Sequence, residues 1–415
     1  MVAKAQLTER IRIRQPEADR LIAAHAHFVA RRPGGRRMVL RFAVLDGVDL
    51  SNHDLSDIDL TGCSLVGCKF DYSRLTRACL FGVDLQASSL VGVSLAQADL
   101  RGAKLKGANL SHANLTQADL RAGRIAISDE DTKFALLRHK VSAGQLDGAN
   151  VSGAVLDRSR LDDVSAAAAD FSECSMRGAK LVGANLKNAN LRGAMIDNVD
   201  VRGANLDSAD LTGAVLTRVD LTTAKTLNAV LQDCLCDPTP AAAERAGLIF
   251  VKLAAHREWV NSGGKSGEPA VLDGEDLRPI AGLAGASLTA VSARNACLAG
   301  MDLGRIALQG AILEGADFRG AHLRRADLRG ANLAGANLGQ ADLREAQLSG
   351  LPFKIDREKP TSLAGASLRY ADLREADLHG VDVSEADLHG ARRQAPMSIA
   401  PEVIDDDDRA FVLDL

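Results

Sequence analysis

The 415-residue chain has little aromatic content: ten Phe, two Tyr and one Trp, or 3%. Globular domains of that length ordinarily place aromatic bulk where their elements cross. This chain must bury its apolar surface by another route. Charge of one sign is also missing, since 50 basic and 54 acidic residues leave a formal net charge of −4. With 46% hydrophobic residues, mostly Ala, Leu and Val, that balance excludes a disordered polymer. No apolar run reaches about 18 residues, so no transmembrane helix is expected. The first residues lack a signal-peptide pattern, because Arg and Glu interrupt each short apolar stretch. The seven Cys are odd in number and lack zinc-type spacing, which fits a reducing compartment. A cytoplasmic location is expected.

What the chain has instead is a period. From Leu45 to Ile125 a large residue recurs every five positions, with Phe70 in place of Leu. Two positions before it stands a smaller residue, such as Val48, Cys63, Ala98 or Ala103. The residue between the two is polar, often Asp or Asn, and Gly often follows by two, as at Gly62 and Gly102. A period of five is neither helical nor alternating. It fits a short extended piece followed by a sharp turn, four of which close a square coil of about 20 residues. Such coils stack at the strand spacing of roughly 4.8 Å, and the large residues form inward ladders. The expected ladder includes Leu50, Leu100, Leu105 and Leu110, then Leu186 and Leu191, then Leu328, Leu333 and Leu338.

Runs such as Ala108-Asn109-Leu110, Ala184-Asn185-Leu186 and Ala331-Asn332-Leu333-Ala334-Gly335-Ala336-Asn337-Leu338 resemble the A-(D/N)-L-x-x consensus of the pentapeptide-repeat family. The resemblance implies an all-β solenoid, the right-handed quadrilateral β-helix. Here it is expected in two modules with short capping and inserted α-helices.

Breaks in the register locate the rest. The first series ends at Ile125 and the next starts at Leu146, out of frame by one. Ser128-Asp129-Glu130-Asp131 offers a helix start and Arg138-His139-Lys140 a basic end. A helical insertion is expected near 128–141. Pro238 and Pro240 close the second series, residues 240–261 read as a helix, and Gly263-Gly264 supplies its C-cap. A third series runs from Leu272 to Leu388, with Phe353 in frame and a loop expected near 354–362. The words Ala23-Ala24-His25-Ala26-His27-Phe28 and Ala254-Ala255-His256-Arg257-Glu258-Trp259 recur. Each is followed by glycines and then by Val44-Leu45-Asp46-Gly47 or Val271-Leu272-Asp273-Gly274. The expected layout is a basic helical cap over 1–41 and a β-helix over 42–237. A helical linker or cap over 238–265, a second β-helix over 268–391 and an acidic tail over 392–415 follow. The helices cap ladder ends that would otherwise stack on other molecules. His25 with Phe28, and His256 with Trp259, share a helix face and are expected to pack on the first coil, the His donating to a backbone carbonyl.

No chemistry-bearing constellation stands out. Gly263-Gly264-Lys265-Ser266 lacks the upstream Gly of a phosphate loop, with Trp259 in its place, and follows a helix. Cys63 and Cys68 occupy the small inner position and act as small hydrophobes. His112, His322, His379 and His389 point outward without a partner pattern, and Asp405–Asp408 lack a spaced ligand set. No cofactor, metal or catalytic residue is assigned.

The net charge conceals +7 over residues 1–45 and −5 over 402–415. Some members of the resembled family mimic B-DNA and bind DNA gyrase, inhibiting it or protecting it from quinolones. That needs a densely negative rod, and duplex DNA carries about one charge per 1.7 Å. Summing outward residues by face gives no such surface here, only acidic ends. The first coil carries Asp46, Asp49, Asp54, Asp57 and Asp59. The basic Arg31, Arg32, Arg36, Arg37 and Arg41 are expected to pair with that coil rather than with nucleic acid. The sequence therefore reads as a non-catalytic scaffold for a protein partner. Phe134, Arg138, Lys354 and Arg357 on the two excursions are its candidate contacts. The alternative is a type II topoisomerase binder, and an enzyme ranks third. Self-association through module ends is a further expectation.

Overall fold

The computed structural model describes residues 10–123, 144–354 and 357–393. The chain divides into two compact units, Met1–Asp237 and Pro238–Leu415. Within the first, Val44, Asp49, Asp54 and Asp59 form parallel bridges to Ser64, Lys69, Arg74 and Cys79. Each partner lies 20 residues on, so four five-residue sides make a coil. The second unit repeats the step, as in Ala307 with Asp327 and Ile312 with Asn332.

The backbone explains the period. The central residue donates upward to the next coil, as Leu50 N–H does to the Lys69 carbonyl at 2.7 Å. The residue before the centre reaches back, as Ser64 N–H does to the Ala43 carbonyl at 2.9 Å. A turn then closes on the centre, Cys63 N–H meeting the Leu60 carbonyl at 3.0 Å. Every five residues thus contain one turn, and a single residue per side remains for pairing. The expected all-β character accordingly takes the form of isolated bridges. Pairing of neighbouring coils widens to two residues, among the described residues, only between β1 (Val215–Leu216) and β2 (Leu235–Cys236).

Inward centres fill the bore. Leu50, Leu100, Leu105, Leu110, Leu186, Leu191, Leu328, Leu333 and Leu338 are each no more than 1% exposed. Burying one such side chain stabilises by about 1.5–3 kcal/mol. Phe70, Phe171 and Phe318 occupy centres and are fully buried.

Two excursions leave their coils at the same place within the five-residue repeat. Lys104 pairs with Gln145, a step of 41, so Leu146 takes the place above Leu105; Ile125, the expected end of the first series, lies outside the described residues. The expected helix near 128–141, with Phe134 and Arg138, lies outside the described residues. In the second unit Asn332 pairs with Ser362, a step of 30. The ten extra residues include an antiparallel ribbon, β3 (Leu351–Lys354) and β4 (Arg357–Lys359). This corrects the expected loop at 354–362. Leu363 keeps frame with Leu348 because the insertion spans two periods; Phe353 sits in β3, not at a ladder centre. Removing 351–360 would leave Leu348-Ser349-Gly350-Thr361-Ser362-Leu363, an unbroken repeat. Both excursions start after the turn residue and end before the small inner residue, Gly144 or Thr361.

Both Tyr residues occupy the left-handed turn position, Tyr72 at φ 57° and Tyr370 at φ 56°. Each ring lies over the glycine of the next coil. A Cβ on Gly92 would stand 2.7 Å from Tyr72 Cδ1, and one on Gly390 2.5 Å from Tyr370 Cδ1. Phe42 covers Gly62 in the same way.

Leu110→Ala is expected to cost about 2–5 kcal/mol by urea denaturation. Leu110→Asp places an unpaired charge in the ladder and should abolish the circular dichroism of the first unit; a soluble variant with an unchanged spectrum would contradict this register. Gly92→Ala should destabilise by roughly 1–3 kcal/mol. Part of that loss should return in the Gly92→Ala/Tyr72→Ala double variant if the ring is the obstacle.

Candidate functional site: capped ends, paired faces and a side ribbon

The first coil has no coil beneath it, so its downward-facing backbone groups need other partners. Helix α1 (Gln15–Val29) and the residues before it supply them. Arg12 bridges Val44, with Ile13 N–H on the Val44 carbonyl and Val44 N–H on the Ile11 carbonyl, both at 2.9 Å. The Gln15 side-chain amide does the same for the next side. Its Nε2 donates to the Asp49 carbonyl and its Oε1 accepts from Asp49 N–H, each at 2.8 Å. Sequence reasoning missed Gln15, because one amide outside the period carries no repeating signal.

His25 serves the remaining sides. Met38 N–H donates to Nδ1 at 3.1 Å, and Nε2 lies 3.0 Å from the Ser56 carbonyl. These partners fix the neutral tautomer with the proton on Nε2. His25 is fully buried with Ala18 and Ile22. Phe28 departs from the expectation of packing on the coil. It is 39% exposed and stacks on His25 with ring centroids 5.6 Å apart. With Arg31, Asp54, Asp57, Arg74 and Arg77 it lines an open groove of about 640 Å³.

Helix α2 (Pro240–Asn261) caps the second unit from a Thr239 N-cap. Ile249 and His256 are its buried residues, and Ala270 N–H donates to His256 Nδ1 at 3.0 Å. The buried Nε2 of His256 makes no hydrogen bond among the described residues. Trp259 is half-buried and stacks on the ring at 5.6 Å. Glu275, nearly buried, is clamped by Arg245, whose guanidinium holds its carboxyl below the usual range. The two His partners also correct the alignment of the duplicated words. Met38 and Ala270 are equivalent, so Leu40, not Leu45, corresponds to Leu272.

The basic segment meets the acidic coil less broadly than its charge suggests. Arg41 clamps Asp59 through Nε at 2.9 Å and Nη2 at 2.7 Å. Arg37 reaches only the Asp57 carbonyl, while the Asp57 carboxylate is taken by Arg77. Arg31, Arg32 and Arg36 form no ion pair among the described residues.

Along the faces, acid and base cancel within single repeats. In Asp-Leu-Arg words the Asp before the centre accepts both guanidinium nitrogens and the backbone N–H of the Arg after it. Asp200-Val201-Arg202 makes the same clamp with Val at the centre, at 2.8, 2.6 and 3.3 Å. Asp99–Arg101, Asp119–Arg121, Asp327–Arg329, Asp342–Arg344 and Asp372–Arg374 repeat the clamp. The Arg202 hydrogen bond holds the Asp200 carboxyl below the ordinary range. Exposed pairs of this kind add little stability, but they leave no uncompensated row of carboxylates on those repeats.

The ribbon is tied to its face. Leu351 packs over Gly330, and Lys359 Nζ donates to the Gly310 carbonyl at 3.1 Å. Thr361 Oγ1 closes its base, accepting Gly330 N–H at 2.8 Å and lying 3.0 Å from the Ser349 carbonyl. Arg357, Glu358 and Lys359 are exposed. Lys354 ends β3.

The inner thiols serve structure. Cys63 Sγ donates to the Leu40 carbonyl at 3.3 Å and Cys68 Sγ to that of Leu45 at 3.2 Å. Ser73 and Ser88 make the same bond with Oγ. Burial pushes the Cys63 and Cys68 thiols up to about 11 and raises Cys174 well above its ordinary value. No cluster of three or more His, Cys, Asp or Glu among the described residues is arranged to hold a metal ion. No described helix is long and apolar enough to cross a membrane.

The pentapeptide repeats family matches the chain in overlapping windows that together span 39–117, 145–222, 286–354 and 361–392. This is more than half of the chain, and the protein belongs to the pentapeptide repeat family, whose fold is the right-handed quadrilateral β-helix. Among solved structures it is similar to full-length QnrB1, a plasmid-mediated fluoroquinolone resistance protein. That match is 16% identical, covers 52% of this chain and 97% of QnrB1, and has a TM-score of 0.29. It is also similar to HetL, a pentapeptide repeat protein involved in heterocyst differentiation regulation in the cyanobacterium Nostoc sp. strain PCC 7120. There the identity is 22%, the coverage 91% of this chain and 96% of HetL, and the TM-score 0.15. Rfr23 from the cyanobacterium Cyanothece 51142 is 28% identical over 32% of this chain and 91% of its own, with a TM-score of 0.17. No curated protein matches the chain.

Thiol labelling at pH 8 checks the inner positions. The exposed Cys236 should react in the native protein, whereas Cys63, Cys68 and Cys174 should react only after denaturation. Native labelling of Cys63 or Cys68 would contradict their placement.

Proposed function

We propose that this chain is a non-catalytic scaffold that binds a protein partner in the cytoplasm. The layout we propose is a basic cap over 1–41, a β-helix over 42–237, a helical cap over 238–265, a second β-helix over 268–391 and an acidic tail over 392–415. One observation carries the reading. Ten residues of the second unit leave a ladder that would be unbroken without them, and are pinned to its face by Leu351, Lys359 and Thr361. A scaffold has no need of them for closure, so the exposed Arg357 and its neighbours are assigned to recognition. Lys354 belongs to the same contact. Phe134 and Arg138 are assigned to the corresponding excursion of the first unit.

The Asp-Leu-Arg clamps count against a topoisomerase binder that imitates duplex DNA, because they neutralise the carboxylates such a mimic would display. In a gyrase supercoiling assay the protein is expected neither to inhibit nor to protect against quinolones; either effect would favour that alternative. Deleting 351–360 is expected to keep the circular dichroism spectrum and thermal midpoint while abolishing capture of the native partner from host extract. Capture by the deletion variant at the wild-type level would remove the ribbon from the interface.

A further inference from the structure

Both cap helices carry a fully buried imidazole that holds the first coil of its unit by backbone groups alone. In the first unit Nδ1 of His25 accepts from Met38 N–H and Nε2 donates to the Ser56 carbonyl. In the second, Nδ1 of His256 accepts from Ala270 N–H, while its buried Nε2, on the side of Thr289, makes no hydrogen bond among the described residues. Within the coils these positions match. Met38 and Ala270 lie two before the first centre, Leu40 or Leu272. Ser56 and Thr289 follow the fourth centre, Leu55 or Leu288. The His25 imidazole therefore joins the first side of its coil to the last, and His256 holds the first side of its own through Ala270.

Only the neutral ring can do this. A proton on Nδ1 would turn an acceptor into a donor facing Met38 or Ala270 N–H, inside a site closed to water. We propose that His25 and His256 are acid-released latches, and that mild acid frees the cap helices from the first coils and exposes the ladder edge at the start of each unit.

The surroundings agree in sign. Burial lowers the proton affinity of both rings below that of ordinary histidine. Around His25, the Ser56 carbonyl, Asp54 and Asp57 oppose that shift and Arg37 adds to it. Around His256 the Thr289 carbonyl opposes it. The cap helix of His256 also carries Arg257 and Glu258 beside it, Lys252 bonded to the Val271 carbonyl, and Arg245 paired with Glu275. A ring with lowered proton affinity in the latched state takes up its proton on release. The latch is therefore complete above about pH 6.5, the ordinary histidine value, and weakens as pH falls below it. Between that value and the lowered one, the latched-to-released ratio falls about tenfold per pH unit.

Amide hydrogen exchange on the full chain tests this, with rates corrected for the intrinsic effect of pH. From pH 7.5 to 5.5, protection at Met38 and Ala270 should fall, by at most about tenfold, while Leu110 and Leu333 inside the ladders hold theirs. In His25→Gln the dependence should vanish at Met38 and persist at Ala270. Imidazole ¹⁵N spectra supply a readout that needs no variant: two of the nine histidines should be in the Nε2–H form and stay neutral when the others titrate. Unchanged protection at both amides, equal loss throughout the ladders, a persistent dependence at Met38 in His25→Gln, or nine histidines titrating together would each overturn the proposal.

Discussion

Everything in these units depends on one backbone bond, from the N–H of each central residue to the carbonyl nineteen residues ahead. It ties coil to coil, as at Leu50 to Lys69 and Leu328 to Gln347. The bond can recur only if each side has the same length. The turn between sides is therefore constrained, and so is the residue after it, which must be small enough for the corner. Leu at the centre and Ala two before it are consequences of that geometry. So is the scarcity of aromatics, since a bore of fixed width takes a Leu in every layer and a Phe only where neighbours allow.

A structure closed by bonds between coils is vulnerable where coils run out. The first unit answers with three unlike devices: the Arg12 backbone, the Gln15 amide and the His25 ring. All reproduce what a lower coil would have offered. The second unit repeats the histidine and adds Lys252 on the Val271 carbonyl. Polar side chains with two-ended hydrogen bonding suit this task, because an end coil presents donors and acceptors in alternation.

The same economy shapes the surface. Positions beside the centre alternate between Asp or Asn and Arg, and the five-residue period brings them together on one turn. Charges that look abundant in the composition are largely spent on one another, which is why no face acquires a field of one sign. Recognition then falls to what departs from the repeat. The ribbon at 351–359 is the described example, and it enters the coil where insertion disturbs neither the centre nor its upward bond.

The sequence by itself determined the period, the inward centres, the small inner positions and the family, because each follows from a rule repeated dozens of times. The ends of the second cap helix were legible from Pro238, Pro240 and Gly263-Gly264. Only the tertiary structure decided where the frame is kept by coincidence. Phe353 stands five after Leu348, yet the bond partner of Leu333 is Ser362, ten residues further along than the period requires. Leu146 is out of frame with the series that ends at Ile125, yet it lies above Leu105. Insertions of any length leave the local pattern intact on both sides, and only pairing across coils shows which residues meet. The same holds for Gln15, for the two histidines and for the equivalence of Leu40 with Leu272. Their partners are distant along the chain, occur once or twice, and obey no period that a sequence could display.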